Sequence, residues 1–423
     1  MRQPAINNEM GSNGIPPLWI DTDTSGLVWT GLDCDDDLAV LVGLALHRRG
    51  AIDLQGISVC GGNAPLSHTW PDVLRLLDHA GSTDITPSKG CGWRSMQVGV
   101  GFLRFLNRVV PDAKDSEDAS AALVRRSRQK SAAPINILAL GPVTNLARAL
   151  RGGLDAAGVS HIYLMGGEMT GQQLDLNFRS DRAGARAVIG SNIPKTIVTI
   201  QTCGQTAVTE SYLDLLDCPS MAACALLPKM RQQIKVMPKY VNPAVKKRLL
   251  VHERGGRWRA SPNLDRGFVP WDVVALLSIT YPEEFGEWEY HRVRIDPCAE
   301  GEPCDGTMRV VENLGGRFDG KNWSGVVRTP HLVKNETRLL ETMFSLMGKV
   351  PAATPLPSLF WGFYGTLLSF VVATTIFLWS LLRWSLSLSR PQTKQEQGYN
   401  IFKKNAVKKA KKAKKAAAAA KKA

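Results

Sequence analysis

The chain has 423 residues, of which 44% are hydrophobic and 21% charged, so it can bury a substantial core in one large domain or two smaller ones. Its net charge is +14, but residues 383–423 carry 13 of the 52 Lys and Arg and only one of the 38 Asp and Glu. The remaining 382 residues therefore hold 39 basic and 37 acidic groups. A nucleic-acid-binding domain concentrates basic residues on its folded surface, so we expect no nucleic-acid partner.

Apolar segments of two lengths alternate along most of the chain. Residues 1–16 are polar, and we predict a disordered N-terminus there, with no signal peptide. From about residue 17 to 350, strand-like runs such as LWI (18–20) and INILAL (135–140) alternate with helical stretches such as LAVLVGLALHRRG (38–50). This alternation predicts an α/β domain with a mostly parallel central sheet flanked by helices.

Conspicuous polar residues follow the predicted strands. Asp21 and Asp23 come after LWI, Gly62 and Asn63 after LQGISVC (54–60), and Asn145 after INILAL. In parallel sheets, ligands gather beyond the carboxyl ends of the strands. The spacing therefore predicts a functional site at this edge of the sheet.

The C-terminal region differs in composition from the rest. Residues 351–358 form a Pro-rich linker, and residues 359–382 contain no charge and are long enough to cross a bilayer as one helix. We predict a single-pass transmembrane helix there, followed by a disordered basic tail over 383–423 that contacts anionic lipid. The positive-inside tendency places the tail in the cytosol, whereas tail anchoring would place the domain there, so the side of the domain stays open.

An acidic segment follows the first predicted strand. It contains six aspartates: Asp21, Asp23, Asp33, Asp35, Asp36 and Asp37. One interpretation is a solvated acidic loop. The other is a cation site, because clustered carboxylates at a strand end repel one another unless a cation lies among them. All-oxygen ligands favour calcium or magnesium over zinc. Counting from Asp33 excludes an EF-hand, since Leu38 and Leu44 stand where Gly and Glu are needed.

Five motifs in order carry a family resemblance over roughly residues 17–348. They are Asp21-Thr-Asp23 with Asp35-Asp36, Gly62-Asn63, the run from Leu140 to Asn145, Met165-Gly-Gly167 followed by Asp175-Leu-Asn177, and Trp271-Asp272. With these motifs the chain resembles the inosine–uridine-preferring nucleoside hydrolase family. The resemblance implies a nucleoside hydrolase fold for residues 17–350 and a homodimer or homotetramer.

The resemblance also implies a metal site and a catalytic residue. Ca²⁺ would be bound by Asp23, Asp36, Asp272 and the backbone carbonyl of Leu140. Asp23 would also be the general base for the attacking water. We expect Asp33 and Asp37 only to shape the loop.

The implied substrate contacts are Asp35, Asn63, Asp175, Asn177, Trp93 and Trp271. The first four would hold the ribose, although Asp175 stands where the family usually has Glu. Trp93 and Trp271 would sandwich the base, which favours purines because of their larger stacking area. The resulting prediction is calcium-dependent hydrolysis of the N-glycosidic bond of ribonucleosides, with a preference for purines, to free base and ribose. The alternative is a catalytically silent, membrane-anchored nucleoside- or calcium-binding protein that retains the fold.

Overall fold

The structure of the protein is a computed structural model, which describes residues 17–27, 34–82, 84–92, 117–170, 175–214, 216, 221–237, 250–253, 257–260, 263–296 and 307–348. All of them belong to the compact unit Met1–Thr354. The predicted N-terminal segment, linker, membrane helix and basic tail lie outside the described residues and stay predictions. Within the described ranges, no helix has the length and apolar character needed to cross a membrane.

Eleven described strands form one large sheet and one hairpin-like pair. They are β1 Pro17–Thr22, β2 Asp53–Val59, β3 Pro87–Lys89, β4 Ile135–Ala139, β5 Val159–Met165, β6 Lys195–Val198, β7 Leu250–Glu253, β8 Arg257–Ala260, β9 Phe285–Ile295, β10 Met308–Asn313 and β11 Val326–Val333. The large sheet has the order β10-β9-β11-β6-β5-β4-β1-β2-β3, and β7 pairs with β8. From β11 to β3 all neighbours pair parallel, whereas β9 and β10 pair antiparallel.

Helices connect these strands and cover the sheet. The described α-helices are α1 Asp35–Arg48, α2 Leu66–His79, α3 Ala119–Ser127, α4 Thr144–Arg151, α5 Asn177–Ser180, α6 Arg182–Gly190, α7 Ile200–Cys203, α8 Glu210–Leu213, α9 Met221–Val236, α10 Trp271–Thr280 and α11 Glu336–Met347. The predicted α/β domain with a mostly parallel sheet is thus confirmed. The strands and helices predicted around LWI, LAVLVGLALHRRG and INILAL are present as β1, α1 and β4.

The core lies in two layers, one on each face of the sheet. One layer is built by α1, α10 and α11 with β1 and β2, and the other by α3, α4 and α6 with β4, β5 and the inward side of β9. Helix α1 is buried from Asp35 to Leu46, and α10 from Asp272 to Ser278. Such helices bury all their faces, which is why their sequences are apolar almost throughout. The few charged residues in them are therefore conspicuous.

The connection between strands creates a switch point at β1. The chain moves from β1 to β2 and β3 on one side, and then returns to β4 on the other side of β1. Where the connections that follow two neighbouring parallel strands run in opposite directions, a crevice opens at the carboxyl ends of those two strands. The residues that follow β1 and β4 therefore border the crevice.

Candidate active site

Asp21, near the end of β1, is the centre of a buried polar network. Its Oδ1 accepts hydrogen bonds from Ser58 Oγ on β2 and from Asn145 Nδ2 on α4, the latter at 2.8 Å. Its backbone carbonyl accepts from the amide of Leu140 at 2.8 Å. Burial raises the pKa of Asp21 to about 6, against the lowering effect of Ser58 and Asn145. The network ties the ends of three strands together beneath the crevice.

Asn63 links the carboxylates of Asp23 and Asp36. The amide N–H of Asn63 donates to Asp23 Oδ2, and its Nδ2 donates to Asp36 Oδ2 at 2.8 Å. The other oxygen of Asp36 accepts from Thr22 Oγ1 at 2.6 Å and from the amide of Asp23 at 3.1 Å. The Asp-x-Asp element after β1 and the acidic start of α1 are therefore held against each other.

Two glycines leave room for the Asp23 side chain. A Cβ on Gly62 would lie 1.9 Å from Asp23 Oδ2, and a Cβ on Gly141 would lie 2.3 Å from Asp23 Oδ1. Both distances are far below any real contact. The loops that follow β2 and β4 thus close on the two oxygens of this carboxylate from different sides, so a side chain at either position must displace the carboxylate or the loop.

Asp272 joins the cluster from a distant part of the chain. One carboxylate oxygen from each of Asp35, Asp36 and Asp272 lies within 4.8 Å of the other two, and all three residues are buried. Asp35 and Asp36 begin α1, and Asp272 lies in the first turn of α10. The positive ends of the two helix dipoles favour negative charge there but do not cancel three buried carboxylates. An all-oxygen set of this kind fits a hard divalent cation such as Ca²⁺.

Asp37 faces away from this cluster into the loop after β1. Its Oδ2 accepts from the amides of Ser25 and Gly26, at 3.2 and 2.8 Å. Burial and the neighbouring Asp72 carboxyl raise the pKa of Asp37. Asp37 therefore shapes the loop, as expected, whereas Asp33 lies outside the described residues.

Asn177 and Asp175 lie across the crevice, after β5. Asn177 Nδ2 donates to the carbonyl of Leu140 and to that of Met165, the latter at 3.1 Å. The Asp175 carboxylate accepts from the amides of Asn177 and Phe178, the first two residues of α5, at 3.1 and 3.0 Å. Burial raises the pKa of Asp175 to about 6, while amides including that of Gly167 lower it. Asp175 thereby positions Asn177 beside the Leu140 carbonyl.

Of the two predicted base-stacking residues, Trp271 lies within the described residues and Trp93 does not. Trp271 is the first residue of α10, is partly buried, and packs against the core next to Asp272. Trp93 lies outside the described residues. Cys91, two residues earlier in the chain, donates its amide to Asn145 Oδ1 at 2.9 Å. The segment that leads to Trp93 is thus bonded to the network of Asp21.

Sequence patterns assigned no role to the network of Asp21, Ser58 and Asn145. Asn145 was visible as a polar residue after a strand, but its two partners lie on other elements and the pairing depends on the strand order. Trp19 extends the network, since its Nε1 donates to Ser58 Oγ at 3.0 Å. A Trp and an Asp two residues apart on a strand share a face, and this spacing was the available signal.

Comparisons with known proteins agree with this architecture. The model of the family described as inosine-uridine preferring nucleoside hydrolase matches residues 18–336. Uridine nucleosidase 1 from Arabidopsis thaliana is 26% identical over 216 residues, which cover 47% of this chain and 60% of that protein. Probable uridine nucleosidase 2 from Oryza sativa subsp. japonica is 25% identical over 231 residues, 51% of this chain and 66% of the relative. The chain spans less than two thirds of these relatives' length.

Solved structures show the same fold. A plant nucleoside hydrolase superposes with a TM-score of 0.59 at 18% identity, covering 79% of this chain and 99% of that chain. A purine-preferring ribonucleoside hydrolase from Gardnerella vaginalis superposes with a TM-score of 0.56 at 19% identity, covering 79% and 98%. The fold is therefore that of the nucleoside hydrolases. Because the family model also matches residues 18–336, the chain belongs to the inosine–uridine-preferring nucleoside hydrolase family.

Proposed function

We propose that the protein hydrolyses the N-glycosidic bond of ribonucleosides, with Ca²⁺ as its metal and purines as the preferred bases. The observation that carries this proposal is the convergence of Asp35, Asp36 and Asp272 at a switch point of the sheet, next to a clamped Asp23. Carboxylates from two helices far apart in sequence meet where the fold opens a crevice. A merely solvated acidic loop would not be buried in this way.

Asp23, Asp36, Asp272 and the carbonyl of Leu140 are the proposed Ca²⁺ ligands. The cation, when bound, supplies positive charge that acidifies water and orients the ribose hydroxyls. The remaining negative charge favours cleavage, because the sugar becomes positively charged in an oxocarbenium-like transition state. Asp35 and Asn63 on one side of the crevice and Asn177 on the other are the proposed ribose contacts.

Asp23 is the proposed general base. A base must hold one position relative to the attacking water, within hydrogen-bond reach. The amide of Asn63 and the close approach of Gly62 and Gly141 restrict the Asp23 carboxylate in this manner. Asp23 takes the water proton as the water oxygen attacks the anomeric carbon, and the bond to the base breaks with inversion.

The leaving base needs a proton or an equivalent stabilisation. No His precedes Asp272, since Trp271 occupies that position. We infer that stacking of the base between Trp271 and Trp93 raises the basicity of the ring nitrogens, so that solvent protonates the departing purine. A pyrimidine offers less stacking area and gains less.

A base-release assay tests the proposal. Full-length protein in calcium buffer is incubated with inosine, guanosine, adenosine, uridine and cytidine, and the free base is separated and quantified. Release that stops with a calcium chelator, resumes with added Ca²⁺ and disappears in Asp23→Asn is the expected result. Asp155→Asn is the matched control, because Asp155 caps a short helix before the amino end of β5, whereas the proposed site lies at the carboxyl ends of the strands. No release from any nucleoside would favour the silent binding protein instead.

We also propose that residues 359–382 anchor the protein in a membrane, with the basic tail against anionic headgroups. The support is the run of 24 uncharged residues and its abrupt basic flank. Resistance of the protein to carbonate extraction, lost on deletion of 359–423, is the expected outcome. Protease protection of sealed membranes then assigns the side of the domain, and size measurement in detergent tests the expected homodimer or homotetramer.

A further inference from the structure

Three metal-ligating side chains meet on the antiparallel side of the sheet. Glu289 and His291 lie on β9, and His331 lies on the neighbouring β11. The Nε2 atoms of the two histidines are 2.9 Å apart, and Glu289 Oε2 lies 3.6 Å from that of His291 and 3.5 Å from that of His331. Both imidazoles are buried, their rings stand nearly perpendicular, and the three atoms lie within 4.8 Å of one another.

The two imidazoles face each other through their Nε2 atoms. Between two neutral imidazoles whose Nε2 atoms face each other, one proton at most can lie on the axis that joins them. Glu289 Oε2 lies beyond normal hydrogen-bond length from both nitrogens, and it accepts a bond of 2.7 Å from Asn313 Nδ2. A cation at the centre would satisfy all three atoms together.

The distances fit a small transition-metal ion. The two Nε2 atoms and Glu289 Oε2 form a triangle whose centre lies about 1.9 Å from each atom. This distance is close to the ~2.0–2.2 Å of zinc–imidazole and zinc–carboxylate bonds. Ca²⁺ prefers oxygen ligands in larger number and at longer distance, so this set discriminates against it. Because the Glu289 side chain is 39% exposed, solvent can reach the fourth position of a tetrahedral site.

The cluster is separate from the acidic centre. Between β1 and β11 the sheet order places β4, β5 and β6. The two clusters have no ligand in common. Their ligand chemistry also differs, two imidazoles and one carboxylate against carboxylates alone. An ion at one site therefore leaves the ligands of the other unoccupied.

We propose that Glu289, His291 and His331 bind a borderline divalent transition metal, zinc or an ion of similar size, which cross-links β9 to β11. Nδ1 of His291 has no hydrogen-bond partner among the described residues. Metal-bound imidazoles usually donate that second N–H to an acceptor, so we expect weaker binding here than at a site with a complete outer shell. The ion thereby holds the antiparallel strand β9 against β11.

Cobalt titration of the full-length protein in saturating Ca²⁺ tests the site. The expected result is the intense visible absorption of four-coordinate Co²⁺, saturating at one ion per chain and abolished by Zn²⁺. His331→Gln and Glu289→Gln should weaken Co²⁺ binding by about 100-fold or more, since loss of an outer-shell partner alone costs ~10–100-fold. His161→Gln is the matched control, because His161 is a buried strand histidine that bonds Thr196 Oγ1 at 2.9 Å outside the cluster.

A second measurement separates binding from folding. Zn²⁺ should raise the Tm of the wild type and of His161→Gln, and leave that of His331→Gln and Glu289→Gln unchanged. If His331→Gln does not fold, the half-exposed Glu289→Gln carries the comparison. Absence of the cobalt absorption in the wild type would overturn the proposal. Equal absorption in Glu289→Gln, or equal loss in His161→Gln, would overturn it as well.

Discussion

Replacing Gly141 with Ala tests whether the position of Asp23 controls the reaction. The added Cβ would lie 2.3 Å from Asp23 Oδ1 and 2.7 Å from its Cγ. Ordinary contact begins at 3.4 Å, so the carboxylate or the loop after β4 must move by about 1.1 Å. A displacement of about 1 Å in a reacting group costs ~100-fold in rate, equivalent to about 2.7 kcal/mol of activation free energy. Overpacking should also lower the free energy of unfolding by about 1–3 kcal/mol.

The assay measures kcat/KM for base release together with Ca²⁺ affinity and chemical denaturation. Gly190→Ala is the control, because a Cβ on Gly190 would meet no atom within 4 Å. Gly62→Ala approaches the other oxygen of Asp23 and should behave like Gly141→Ala. If Gly141→Ala is folded and keeps kcat/KM within about threefold of the wild type, Asp23 is not the positioned base, and the reasoning from the clamp fails.

Three further substitutions separate the metal, the base and the supporting network. Asp272→Asn removes one charge from the carboxylate cluster and should weaken Ca²⁺ binding at least about tenfold by calorimetry, with base release restored only at high Ca²⁺. If Trp271 stacks on the base as proposed, Trp271→Ala removes a surface worth roughly 1–3 kcal/mol per base, and kcat/KM should fall by about 10- to 100-fold for inosine and clearly less for uridine. An equal loss for both nucleosides would contradict the stacking model. Asn145→Ala removes one hydrogen-bond partner from the Cys91 amide and one from Asp21 Oδ1. The free energy of unfolding measured by urea titration should therefore fall by about 1–3 kcal/mol. An unchanged free energy of unfolding would contradict the proposed role of the network.

The parallel part of the fold could be predicted because its strands are buried on both faces. LWI is continuously apolar, INILAL has Asn136 as its one polar residue, and the helices between them are apolar on at least one face. The antiparallel part could not be predicted in the same way. Buried and exposed residues alternate only over the last five residues of β9, from His291 to Ile295, and the preceding four are partly buried. Its pairing with β11 depends on contacts that no local pattern contains.

Local patterns also missed what individual side chains do in the site. The acidic run after β1 indicated carboxylates at a strand end, but only the family resemblance connected it to Asp272, more than two hundred residues later. Asp175 stands where the family usually has Glu, and its carboxylate accepts hydrogen bonds from the amides of Asn177 and Phe178. These contacts depend on how the chain enters α5, which the sequence pattern does not show.

The close approach of Gly62 and Gly141 to the Asp23 carboxylate limits which substitutions relatives of this protein can accept. A side chain at position 62 or 141 must displace the Asp23 carboxylate or a loop. A relative without a carboxylate at position 23 lacks this restriction, so larger residues are tolerable at both positions. Among relatives with this fold, we expect a side chain at either position to accompany loss of Asp23 or of base release. A survey of purified relatives for activity would test that expectation without any further structure.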